Sequence, residues 1–136
     1  MNLEQFSRIL PPITEFNRSY WEGCAVGELR LQACQQCDEI WFPEGPCCPR
    51  CLSTDFRWQA VSGRGRIWSH IRMHQKYIAA YADEVPYTVI MVKLEEGPRM
   101  YSALAEGSAK PEVGSSVVVE FVTVGDRVIP KFRVVE

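Results

Sequence analysis

The chain has 136 residues and a formal charge of −2, enough for one compact unit or two small packed modules and too few for a large multidomain enzyme. With 46% hydrophobic and 24% charged residues it is a folding rather than a disordered sequence. The near-neutral balance argues against binding nucleic acid mainly by coating phosphates, and no window approaches the ~18 uninterrupted apolar residues of a membrane span, so a cytoplasmic protein is expected.

Pro11 and Pro12 break the chain, and Thr14 is the expected N-cap of a short helix. Phe16, Tyr20 and Trp21 fall on one side of that helix, and Gly23 is expected to end it. Leu29 to Ala33 alternates like a strand leading into a first cysteine pair, and Phe56 to Val61 returns after a second. That is the outline of a zinc ribbon. From Gly63 onward the pattern is all β, with Ile67, Ser69, Ile71 and Met73 expected on one face and Trp68, His70, Arg72 and His74 on the other. Tyr87 to Leu94, Arg99 to Ala105, Val117 to Val124 and Arg127 to Val135 complete five strands, separated by glycine-containing turns. Five strands in about 70 residues suit a small Greek-key barrel of the OB type, with an SH3-like barrel as the alternative. The predicted fold is mostly β: a helical segment over 1–28, a zinc ribbon over 29–61 and an OB-fold barrel over 62–136.

Cys34, Cys37, Cys48 and Cys51 form the pattern C-x2-C-x10-C-x2-C. Each x2 turn can place two sulfurs on one metal, and two such turns supply a closed tetrahedral site with no open position for water or substrate. A structural Zn²⁺ is therefore expected. Iron in a small redox protein is the rival, and Cys47 competes with Cys48 for the third position. Cys24 and Cys47 otherwise read as small, partly buried residues.

Between Gly63 and Lys76 stand Arg64, Arg66, Arg72 and Lys76 with His70 and His74, and no acidic residue. Guanidinium forks beside accessible glycine backbone suit phosphate oxygens, while a plain solvated strand face is the simpler alternative. No nucleophile motif or catalytic constellation is found. Glu95 and Glu96, adjacent on a turn, are expected to point apart into solvent. The four tryptophans, Trp21, Trp41, Trp58 and Trp68, are expected to pack within the ribbon and its junctions.

The ordered series SYWEG, GELRLQAC, CQQC and CCPRC around WFP, SGRGRIWS, VPYTVIMVKLEEGPRM and VGSSVVVEF resembles the family catalogued as domain of unknown function thirty-five, from about Pro11 to the end. The resemblance implies an N-terminal helix, a rubredoxin-like zinc ribbon and an OB-fold. It also implies an acyl-CoA-associated accessory subunit, without catalysis of its own, of a thiolase-superfamily enzyme: a thiolase, an acyltransferase or an aldolase of steroid or lipid metabolism. On that reading the helix and ribbon meet the partner, and the barrel holds the coenzyme A thioester through Arg64, Arg66, Arg72, His74 and Lys76. Two positions depart from the family: Asp38 stands where glycine is usual after the second cysteine, and Pro43, Glu44 and Gly45 replace Pro-Pro-Arg. The rival from another class is a single-stranded nucleic-acid-binding protein, since OB barrels and zinc ribbons both serve there, although the acidic net charge opposes it.

Overall fold

In the computed structural model, which describes residues 11–75 and 86–135, the first element is the helix α1, Arg18–Ala25. It starts after Asn17 rather than Thr14. The two residues clasp each other one turn earlier, the Thr14 amide donating to Asn17 Oδ1 at 2.7 Å and the Asn17 amide to Thr14 Oγ1 at 3.2 Å. Asn17 also donates to the Pro12 carbonyl, so its side chain is spent before the helix begins. Gly23, expected as the terminator, lies buried inside α1, where a Cβ would sit 2.8 Å from the Glu28 carbonyl oxygen. It is needed for close approach; the chain turns off the helix at Gly27, whose φ is +79°. Phe16 falls before the helix and stacks edge-on against Phe56 instead.

The ribbon is a three-stranded antiparallel sheet of β1 (Leu29–Cys34), β2 (Ile40–Trp41) and β3 (Phe56–Val61), in the order β2-β1-β3. Strands β4 (Arg64–Met73), β5 (Tyr87–Leu94), β6 (Arg99–Ala103), β7 (Ser116–Val124) and β8 (Arg127–Val134) form a second sheet ordered β6-β5-β4-β7-β8. A parallel bridge from Leu104 to Phe132 brings the end of β6 onto β8, nearly closing the barrel with OB topology. The two modules share one core. Leu29 and Leu31, from the ribbon strand β1, are buried with Ile67, Val92, Met100 and Phe132 of the barrel.

The alternation expected along β4 breaks at a bulge. Gly65 and Ile67 stand opposite the buried Leu94 and Val92, but the register shifts between Ile67 and Ser69. Beyond it, His70 and Arg72 face Ile90 and Thr88, while Ser69 and Ile71 turn outward and Ile71 is 58% exposed. One inserted residue, Trp68, exchanges the faces of everything that follows it.

Gly65 lies where the β4 and β5 backbones approach: a Cβ there would be 2.4 Å from the Lys93 carbonyl oxygen and 2.8 Å from Val92 Cγ1. Gly65→Ala should lower stability in urea by about 1–3 kcal/mol. An unchanged unfolding midpoint would show that the strands can separate freely.

Candidate functional site

Two loops of identical hydrogen-bond pattern bring four sulfurs together. In the first, the Cys34 amide donates to the Glu39 carbonyl and the Asp38 amide to the Cys34 carbonyl. In the second, the Cys48 amide donates to Ser53 and the Leu52 amide to Cys48, at the same offsets. The amides of Gln36 and Arg50, each two residues past a cysteine, point at Cys34 Sγ and Cys48 Sγ at 3.3 Å. Each loop closes through a left-handed residue, Asp38 at φ 63° and Leu52 at φ 66°. Asp38 thus adopts the conformation that glycine would take more readily.

Cys34 Sγ lies 3.5 Å from Cys51 Sγ, Cys37 Sγ lies 3.6 Å from Cys48 Sγ, and all four sulfurs fall within 4.8 Å of one another. A tetrahedral zinc with ~2.3 Å bonds requires sulfurs roughly 3.8 Å apart, so the donor set fits that ion. Amide hydrogens aimed at sulfur stabilise thiolate. Burial acts to raise the Cys34 thiol, yet hydrogen bonds from the Cys37 and Gln36 amides and the neighbouring thiols bring it down to about 7. Cys48 rather than Cys47 supplies the third sulfur, and Cys47 stays half-buried outside the cluster. Cys24 is buried beside Tyr20, where burial pushes its thiol up to about 11.

The ribbon around the cluster is packed. Trp41 and Trp58 both contact Phe56, and Gln32 pins Gly45 from both sides, its Nε2 donating to the Gly45 carbonyl and its Oε1 accepting from the Gly45 amide. Of the four tryptophans only Trp68 is largely exposed, at 53%.

The basic residues of β4 do not share one patch. Arg64 and Arg66 lie at one end, where Arg64 approaches Glu95 at 3.9 Å and Arg66 donates to the Gly114 carbonyl. Arg72 lies about 20 Å along the strand from Arg66. It donates to Thr88 Oγ1 and lines a polar cleft of about 620 Å³ with Ser108 and Lys131. His74 is exposed just beyond β4, and Lys76 lies outside the described residues. Glu95 and Glu96, expected to point apart, both accept from Ser62 at the ribbon–barrel junction; the Ser62 amide reaches Glu96 Oε2 at 2.8 Å and its hydroxyl lies 3.3 Å from each carboxylate.

Two cations escaped the sequence reading. Lys93 pairs across the sheet with Arg66 on one side and Arg99 on the other, so the three stand in one row on the outer face. The signal was the turn between Leu94 and Pro98, whose length sets the β5–β6 register. No helix among the described residues is long and apolar enough to cross a membrane.

A four-thiol ribbon sharing a core with an OB barrel defines the class of protein. Residues 21–57 match the rubredoxin-like zinc ribbon domain of ChsH2 and residues 58–133 its C-terminal OB-fold domain, so the chain belongs to that family. It is 34% identical over 126 residues to a probable enoyl-CoA hydratase alpha subunit of Thermomonospora curvata, covering 90% of this chain and 39% of that protein. It is 28% identical over 97 residues to the benzoylsuccinyl-CoA thiolase subunit BbsA of Thauera aromatica, covering 69% of this chain and 65% of that one. The solved Ltp2-ChsH2(DUF35) aldolase shares 34% identity at a TM-score of 0.80, over 92% of this chain and 98% of that chain. The chain spans about two fifths of the hydratase alpha subunit.

Leu52 carries its left-handed backbone with a side chain that is 72% exposed and contributes little packing. Leu52→Gly should stabilise the metal-loaded protein by about 1 kcal/mol in thermal or urea unfolding. A loss of stability would mean that the Leu52 side chain matters more than its strain.

Proposed function

We propose that the protein is a non-catalytic accessory subunit that docks on a thiolase-superfamily enzyme, a thiolase, acyltransferase or aldolase, and helps hold its coenzyme A thioester. Cys34, Cys37, Cys48 and Cys51 hold one structural Zn²⁺ in this reading, and the metal fixes the ribbon rather than activating a substrate. All four coordination positions are filled by protein, and a zinc site does chemistry only where one position stays open. Arg64 and Arg66 at one end of β4, and Arg72 and His74 at the other, are the contacts proposed for the phosphates and pantetheine arm of the thioester. Lys76 belongs to the same proposed set. The proposed location is the cytoplasm, whose reducing conditions keep the four thiols available to metal.

The observation that carries this reading is the four-sulfur ribbon sharing its core with an OB barrel, matched over residues 21–133 by the two ChsH2 domains. Among the described residues neither histidine bonds to a serine, cysteine or carboxylate, and Glu95 and Glu96 are engaged at Ser62. Acyl transfer from a thioester to a protein side chain needs a nucleophile with a base beside it. The names of the relatives agree: an enoyl-CoA hydratase alpha subunit, a benzoylsuccinyl-CoA thiolase subunit and a two-component aldolase.

Affinity purification of the tagged chain from its own cells, with mass spectrometry of what accompanies it, should return a thiolase-superfamily polypeptide in stoichiometric amount. Recovery of the chain alone, or only with unrelated proteins, would contradict the proposal. The purified protein should be colourless and contain one zinc per chain, and Cys48→Ser should reduce that to near zero. Bound iron, or full zinc retention in the variant, would refute the assignment of these ligands.

A further inference from the structure

The bulge at Trp68 puts Ser69 and Ile71 on the same outer sheet face as Arg66, where unbroken alternation would group them with the buried Ile67. Three cross-strand rows cover β4, β5 and β6. Arg66, Lys93 and Arg99 form the first, Ser69, Met91 and Tyr101 the second, and Ile71, Val89 and Ala103 the third. Tyr101 is 67% exposed and Ile71 58%, and no described residue covers them. Trp68 stands between the first two rows, with the Arg99 guanidinium 5.2 Å from its ring centroid.

Two features of this face work against the isolated fold. Like charges directly opposite one another in a sheet are destabilising, and none of the three cations in the first row has a carboxylate partner among the described residues. Beside that row lies a contiguous apolar surface on adjacent strands. Exposed Trp and Tyr with Met and Arg is also the composition of the centres of protein interfaces. The ribbon offers no equivalent, because its aromatics pack on one another.

We infer that this outer face of β4–β6 is the surface on which the catalytic subunit docks, through an apolar patch bordered by carboxylates that meet Lys93 and Arg99. The assignment rests on the accessory-subunit reading and moves the docking surface from the ribbon to the barrel. Charge selects the occupant. The three rows contain no acidic residue, so a second copy laid face to face would give none of these cations a counter-charge from that face. Exposed Trp68, Tyr101 and Ile71 spread over adjacent strands suit a protein better than a small phosphate ligand.

The test uses the thiolase-superfamily subunit recovered by co-purification, expressed with this chain, and measures the dissociation constant of the pair. K93E/R99E and I71S/Y101A should each weaken association at least tenfold, with wild-type zinc content and circular dichroism confirming that the variants fold. The milder pair K93Q/R99Q should weaken it in the same direction and flatten its salt dependence. Val26→Ser and Leu52→Ser, on the helix end and the ribbon, should stay within twofold of wild type. Failure of any thiolase-superfamily subunit to associate with the wild-type chain would remove the accessory reading itself. A subunit that binds the wild-type chain and the K93E/R99E and I71S/Y101A variants equally would leave that reading standing and overturn the face. So would release by the Val26 and Leu52 variants alone. Binding of adenosine 3′,5′-bisphosphate or of an oligonucleotide to the free chain, lost in K93E/R99E while subunit association is unchanged, would overturn it in favour of a phosphate site.

Discussion

The structure depends on strand β1 being held at both of its ends. Leu29 and Leu31 are buried in the barrel core with Phe132 and Val92, while Cys34, at the other end of the same strand, supplies one of the four clustered sulfurs. Burial of each leucine contributes about 1.5–3 kcal/mol, which orients the ribbon on the barrel but is small beside the conformational entropy of ordering some thirty residues. A structural zinc in such a module contributes on the order of 10–16 kcal/mol. Barrel core and metal site therefore hold the same strand from opposite ends.

That division of labour explains why the most chemically active side chains are structural. The four cysteine sulfurs face one another, the Glu95 and Glu96 carboxylates hold Ser62 at the junction, and Cys24 is a buried thiol whose pKa burial pushes up. What the protein keeps exposed is suited to recognition: arginines and a lysine on the outer strands, and aromatic and aliphatic side chains beside them. In the proposed role the chain supplies shape and charge, and leaves bond-making to a partner.

Much of this was legible before the structure. The C-x2-C pairs announced the metal-binding loops because the spacing itself forces the sulfurs together, and β3 and β5 have the limits that their alternation and flanking turns implied. Local rules failed where a tertiary contact decided the outcome. Gly23 looked like a helix terminator, but it is the residue that lets α1 lie against Glu28 and Arg30. Thr14 has the chemistry of an N-cap and is used one turn too early, on Asn17. The bulge at Trp68 shows in the sequence only as the apolar pair Ile67–Trp68 followed by the polar pair Ser69–His70, and an alternation carried straight through that break misses the exposure of Ile71. The row of Arg66, Lys93 and Arg99 spans 33 positions of sequence from end to end and is set by the strand register.

The sharpest measurement is turnover of an acyl-CoA thioester by the isolated zinc-loaded chain, by its co-purified partner alone, and by the two together. If the chain contributes geometry and no reacting group, it is inert by itself, and it raises the partner's kcat/KM when added in stoichiometric amount. Cleavage or condensation of the thioester by the isolated chain, at a rate comparable to that of the complex, would contradict this view.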